Sequence, residues 1–418
     1  MMGVEGPFIA ALIARLAAAK FNLAAFGVAF SLGMFFESPI IMMLSATNAL
    51  VKDRHSYLKL RRFNNALNIL ITLAMLLVLW PPVFYWLTER LIGMPAEVAR
   101  LTRQATFLLL PWPAAIGYRR FYQGILIGNH LPHRVAYGTV VRLSSMAATA
   151  LVLFFVSPLP GACVGTAALS AGVVMEALAS RVMAGPLVGK LLAAPENSGN
   201  KVWNSRGLAA FYFPLALTSL LGLAVHPMMS FFLGQSRLPI ASLAVLPVVN
   251  SLAFVFRSAG LSFQEAAIAL LKKGDESYRT LRSFAMWLGI AASGLLALIA
   301  FSPAVNWWFH GVSGLSAELT GLAVLPIRIF ALIPALEVLL AFQRARLVVG
   351  NTTRPITKAS AIELAVIAGS LLLAVSFSDL IGVTAAALAA ICGRFCAIAY
   401  LQLAARHARK PLVLKPGA

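Results

Sequence analysis

The chain has 418 residues, of which 60% are hydrophobic and only 11% charged. Soluble domains carry about 45–50% apolar and about 25% charged residues, so this chain lacks the polar surface of a water-exposed fold, and disordered, collagenous and disulfide-scaffold classes are excluded with it. The net charge of +20 then points to basic loops against lipid headgroups rather than to nucleic acid.

A helical span needs about 20 apolar residues, whereas barrel strands alternate over about 10. Runs such as 67–79 and 284–301 are long and continuous, so the protein is read as an all-α integral membrane protein. Residues 6–16 form an apolar stub too short to cross alone, the second half of a first helix that is truncated. Eleven full spans are expected after it, at 21–51, 66–91, 97–128, 134–156, 161–191, 208–233, 239–271, 281–309, 319–350, 356–377 and 382–404. The basic stretch 52–62 is expected as a loop. Alternate loops sort the Lys and Arg residues 19 to five, and the basic side, with the C-terminus, is assigned to the cytoplasm. Cys163, Cys392 and Cys396 all lie in apolar runs and read as small buried hydrophobes. The spacings Gly124–Gly128 and Gly161–Gly165 suggest close helix packing.

The polar connector 193–206 divides the chain near its middle, and the two sides repeat. Phe107-Leu108-Leu109-Leu110-Pro111 precedes Gly128-Asn129 as Phe330-Ala331-Leu332-Ile333-Pro334 precedes Gly350-Asn351. Thr166-Ala167-Ala168-Leu169 returns as Thr384-Ala385-Ala386-Ala387-Leu388, and such offsets run from 217 to 223. The expected organisation is an N-terminal lobe (1–192), a cytoplasmic linker (193–206), a C-terminal lobe (207–405) and a cytoplasmic tail (406–418). Each lobe counts six helices, so the repeats are parallel. They should be related by a pseudo-two-fold along the membrane normal, with a substrate path at their interface.

Two six-helix halves, a polar central linker and a small-residue helix after a Gly-Asn turn resemble the multidrug and oligosaccharidyl-lipid flippase (MOP) superfamily. The 6–51 stretch, with an Ala-rich turn and then Leu23-Ala24-Ala25-Phe26-Gly27, is similar to the first hairpin of toxic-compound extrusion (MATE) transporters. Phe26-Gly27-Val28-Ala29-Phe30-Ser31-Leu32 followed by Phe35-Phe36 is also similar to the progressive ankylosis branch. In architecture the resemblance covers essentially the whole chain. It implies a transporter or flippase coupled to H+ or Na+. The family's first helix usually carries the acidic residue that handles the coupling cation, and that half-helix is missing here.

Ionisable side chains at bilayer depth cost about 2.5–3.5 kcal/mol each on insertion scales, so they mark partners or cavities. Glu37 and Arg257 lie midway along their spans, and the repeat relates them, as it relates Arg142 to Glu363. Each pair swaps sign. The pairs can join the lobes as ion pairs that break and form during transport, or each charge can pair inside its own lobe. Arg120, beside Arg119, lies among Tyr118, Phe121 and Tyr122, where a guanidinium fork suits carboxylate or phosphate; the alternative is an Arg reaching the headgroups. Arg328 is also deep, whereas Arg344 and Arg346 can snorkel. The expected substrate-binding set is Glu37, Arg120, Arg142, Arg257, Arg328 and Glu363.

No phosphate loop, zinc motif or nucleophile elbow occurs, so no catalytic residue, metal, cofactor or enzymatic activity is expected. The Asn351-Thr352-Thr353 sequon falls on the expected cytoplasmic side. The reading is a monomeric, multi-pass secondary transporter of the plasma membrane (the inner membrane in a bacterium), in contact with membrane lipids and not nucleic acid. It would move an organic, anionic solute by alternating access. The alternative is a flippase for a lipid-linked sugar or anionic lipid.

Overall fold

The computed structural model describes residues 2–193, 205–271, 276–349 and 354–407. Most of the expected linker, the tail from 408 and the sequon at 351–353 lie outside the described residues. Helix α1 (Glu5–Ala14) is the stub. The single span expected at 21–51 is in fact two helices, α2 (Ala19–Glu37) and α3 (Met43–Leu50), separated by a turn around Pro39. Proline lacks the N–H that the helical ladder needs, and its ring clashes with the preceding turn. Helix α4 (Arg54–Leu79) starts inside the basic stretch expected as a loop. Its N-cap explains the early start: the Asp53 carboxylate accepts from the Ser56 N–H at 2.8 Å and completes a capping box.

Helix α5 (Pro81–Tyr85) runs into a π-helical turn at Trp86–Leu91. Helices α6 (Ala96–Leu108) and α7 (Pro111–Gly128) make one bent span, broken just ahead of Pro111. Helices α8 (Pro132–Val156) and α9 (Gly161–Ala193) follow. Beyond the connector come α10 (Ser205–Leu223), α11 (Val225–Gly234), α12 (Pro239–Leu271) and α13 (Glu276–Phe301). A short α14 (Ala304–Asn306) enters a second π-helical turn, Trp307–Val312. Then come α15 (Ala317–Phe330), α16 (Ile333–Val349), α17 (Arg354–Phe377) and α18 (Gly382–His407).

The repeat persists in the elements. Helices α4, α6, α7, α8 and α9 recur as α13, α15, α16, α17 and α18 within the offsets found in the sequence. Both π-helical turns recur, each followed by a glycine with positive φ: Gly93 at 82° and Gly314 at 70°. Only glycine adopts that region without strain. Helix α1 matches α11.

Much of the helical surface is apolar, and several charges lie in the interior. Leu70, Leu77, Val152, Phe155, Trp287, Leu298 and Phe377 are exposed, whereas Glu176, Arg119 and Glu337 are buried. Among the described residues, ten helical segments are long and apolar enough to cross a membrane. Helices α6 and α7, with Glu97, Arg100, Arg103, Arg119 and Arg120, make up the remaining expected span. The protein is an all-helical, multi-pass membrane protein. Cys163 is buried as expected, but Cys392 and Cys396 are exposed: they lie on the outer face of α18, where a thiol is apolar enough to meet lipid.

By its internal contacts the chain forms two compact units, Met1–Pro247 with Ser313–Leu315, and Val248–Val312 with Ser316–Ala418. In the first, α9 is buried along most of its length and packs on α1, α2, α6, α7 and α8. Small residues permit the approach: a Cβ at Gly165 would lie 2.7 Å from Ile13 Cδ1, and one at Gly124 2.6 Å from Thr47 Cβ. Helices α10 and α11, expected with the C-terminal lobe, group here with the first unit. Their contacts with the broken α2 account for it. Tyr212 donates its hydroxyl to the Pro39 carbonyl at 2.7 Å, Ser219 to that of Ser38 at 2.7 Å, and Ser230 to the Ser31 hydroxyl at 3.0 Å. In the second unit, Phe263 and Ala267 of α12, Leu281 and Ala285 of α13, and Val338, Ala341, Phe342 and Ala345 of α16 form one apolar cluster.

Candidate functional site

Each unit encloses a group of charges. In the first, α7 presents Arg119, α8 Arg142, α9 Glu176 and α1 Glu5. Glu176 is 0% exposed and pairs with Arg119. Its second oxygen accepts from Gln123 Nε2 at 3.1 Å, and Arg142 Nη1 lies 3.7 Å away. Arg142 Nη2 donates to Glu5 at 2.6 Å. Two carboxylates and two guanidiniums thus neutralise one another, as burial in a bilayer demands.

The second unit builds the same group with the signs exchanged. Helix α16 presents Glu337, α17 Glu363 and α18 Arg394. Arg394 lies 3.3 Å from Glu337 and 3.1 Å from Glu363, and Arg257 of α12 donates to Glu337 at 3.2 Å. Arg119, Arg142 and Glu176 therefore correspond to Glu337, Glu363 and Arg394. All three lie within the sequence offsets of the repeat, and the pairing helices are the same.

Arg142, Arg257 and Glu363 each find a partner inside their own unit. The reason is proximity: neighbouring helices of one unit already supply an opposite charge within 4 Å. Of the expected set, Arg142, Arg257 and Glu363 belong to these two groups. Arg328 does not. It is exposed, donates to the Ala300 carbonyl at 3.2 Å and lies 5.5 Å from the Phe301 ring, so it closes the C-terminal end of α13. Arg103 does the same for Leu79 at the end of α4. A cation suits the negative end of a helix dipole.

Glu37 and Arg120 stand apart. Glu37, the last residue of α2 before the break, is 5% exposed, and its Oε2 is buried without a hydrogen-bond partner. It lies within electrostatic reach of Arg119, Arg120 and Arg142. Arg120 is half-buried, its Nε is enclosed without a partner, and it makes no ion pair among the described residues. On another face of α7, Tyr118 and Tyr122 meet edge-on at 4.8 Å, and Arg181 lies 5.2 Å from the Tyr122 ring. Arg344, expected to snorkel, instead has a buried Nε within reach of Glu337, Glu363 and Arg394. Among the described residues no group of three His, Cys, Asp or Glu side chains is placed to hold a metal ion.

No protein-family model matches the sequence, and no curated protein matches it. Solved structures do. An inward-facing multidrug resistance MATE family transporter of the MOP superfamily aligns with a TM-score of 0.78 at 13% identity, covering 96% of this chain and 94% of that one. The inward-closed lipid II flippase MurJ aligns at 0.68 and 12%, covering 97% and 85%. A MOP superfamily transporter from Pyrococcus furiosus, described as having a binding pocket of reverse polarity, aligns at 0.58 and 14%, covering 97% and 91%. The chain has the fold of these MOP superfamily transporters, as its sequence features suggested.

Proposed function

We propose that the protein is a secondary transporter that moves an organic anion across the membrane by alternating access, coupled to a gradient of H+ or Na+. The observation that carries the reading is Arg120. It is a fixed cation inside a span, half-buried and without an ion pair among the described residues, while Arg119 and Arg142 beside it are neutralised. A guanidinium at that depth without a salt-bridge partner is costly unless an anion meets it in the working cycle.

Glu37 is the group we assign to the coupling cation, since its buried Oε2 lacks a donor and lies at the break between α2 and α3. Arg257, with 28% of its side chain exposed, is a second candidate contact for the solute. Arg142 and Glu363 act as partners that hold helices, and Arg328 as a helix cap. We further propose lobes at 1–192 and 207–405, a monomer, and a plasma-membrane location with the basic face and C-terminus in the cytoplasm. The second reading, a flippase for a lipid-linked sugar or anionic lipid, draws on the likeness to MurJ. Uptake of radiolabelled carboxylate and phosphate solutes into proteoliposomes, run beside a scrambling assay with a fluorescent anionic lipid, separates the two. Transport of solutes with no scrambling supports the first, and scrambling with no solute uptake removes it.

A further inference from the structure

At the end of the first unit marked by the basic stretch 52–62, a cavity of about 500 Å³ opens between α4 and α10. Its walls are of two kinds. His55, Lys59 and Arg62 stand on one helical face, spaced by four and three residues. Leu58, Phe63, Ala66 and Leu208 make the apolar part, with Leu208 buried and Phe63 fixed edge-on against Tyr212 at 5.3 Å. Among the described residues, none of the three basic side chains makes an ion pair or hydrogen bond, and no acidic residue lines the cavity. The neighbouring Asp53 is occupied by the cap of α4.

Three basic groups above an apolar floor, at the basic end of a helix long and apolar enough to span, call for a ligand with an anionic head and an apolar body. The size falls in the range of small-ligand pockets, about 300–1,000 Å³. We propose that this cavity is a binding site for the phosphate headgroup of an anionic phospholipid, whose acyl chain lies along Phe63, Ala66 and Leu208. The site shares no residue with the charge groups inside the units and does not rest on the transport reading. Basic side chains at a membrane surface each strengthen attachment to anionic lipid severalfold.

The test is equilibrium binding of tail-labelled phosphatidylglycerol and phosphatidylcholine to the purified full chain in detergent, read by fluorescence anisotropy. The expected result is saturable binding that prefers phosphatidylglycerol. The double variant Lys59→Gln/Arg62→Gln should weaken it about 30-fold. The charge-keeping Lys59→Arg/Arg62→Lys and a distant Arg100→Gln should leave it unchanged. Both double variants should melt as the wild type does, since the altered side chains are unpartnered. Equal binding of the two lipids, or an unaltered affinity of Lys59→Gln/Arg62→Gln, would overturn the site. Displacement by millimolar inorganic phosphate as effective as by lipid would also overturn it, in favour of a free-anion site.

Discussion

Replacing Glu176 should be among the most damaging single changes in the first unit, and the reason is arithmetical. Its carboxylate is 0% exposed and faces Arg119, Arg142 and Gln123. Glu176→Met leaves Arg119 with no carboxylate and Arg142 with Glu5 alone. Removing one partner of a buried pair costs about 3–5 kcal/mol, because the charge left behind stays out of water. At about 2–4 °C per kcal/mol for a unit of this size, melting in detergent should fall by roughly 6–20 °C. Arg119→Met should cost less, since Glu176 keeps Arg142 and Gln123. The double Arg119→Met/Glu176→Met removes both charges together and should melt above the Glu176→Met single variant, as apolar replacement of a buried pair is close to neutral. A thiol-reactive fluorophore reporting unfolding on heating provides the assay. If both single variants melted within 2 °C of the wild type, or if the double lost the sum of the singles, the neutralisation account of the buried charges would be wrong.

Other expectations follow from the same contacts. Glu37→Gln should insert and melt normally but abolish the pH or Na+ dependence of uptake, measured in proteoliposomes with imposed gradients; unchanged coupling would remove Glu37 from that role. Gly117→Val should destabilise by about 1–3 kcal/mol through overpacking, because a Cβ there would lie 2.2 Å from Asn68 Oδ1 and 2.5 Å from Ile40 Cδ1. A melting temperature equal to the wild type would contradict that packing. Arg328→Ala should cost no more than about 1 kcal/mol and leave uptake at wild-type levels, as expected of an exposed helix cap. Cysteines placed at Ser56 and Pro132 should react with impermeant reagents only from the cytoplasmic side, and labelling from outside would reverse the orientation.

Much of the fold was legible because a bilayer imposes few solutions. Apolar runs of about 20 residues must be helices. The repeat showed in Pro111 and Pro334, which both begin the second part of a bent span. The break after Glu37 was less visible: Pro39 stands in a run of Ile, Met and Leu that reads as continuous helix. The start of α4 was misjudged because Lys52, Arg54 and Lys59 read as loop. Yet Tyr57, Leu60 and Asn64 already form a buried helical stripe, and Asp53 with Ser56 a cap. The partners of the buried charges depend on which helices touch, which depth along a helix does not determine. One signal was available, since Arg119 and Glu176 recur as Glu337 and Arg394 at matching offsets with opposite sign. Glu5 escaped the sequence reading because it falls just before the apolar stub at 6–16. Depth also misplaced Arg328, which is used by the carbonyl end of the adjacent α13.

Uptake of a panel of labelled organic anions and cations into proteoliposomes holding wild-type protein or Arg120→Ala tests the central proposal most directly. The account predicts saturable uptake of at least one anion, little uptake of cations, and a loss of at least tenfold in anion uptake for Arg120→Ala with its melting temperature unchanged. Preferential transport of cations, or full anion uptake by Arg120→Ala, would contradict it.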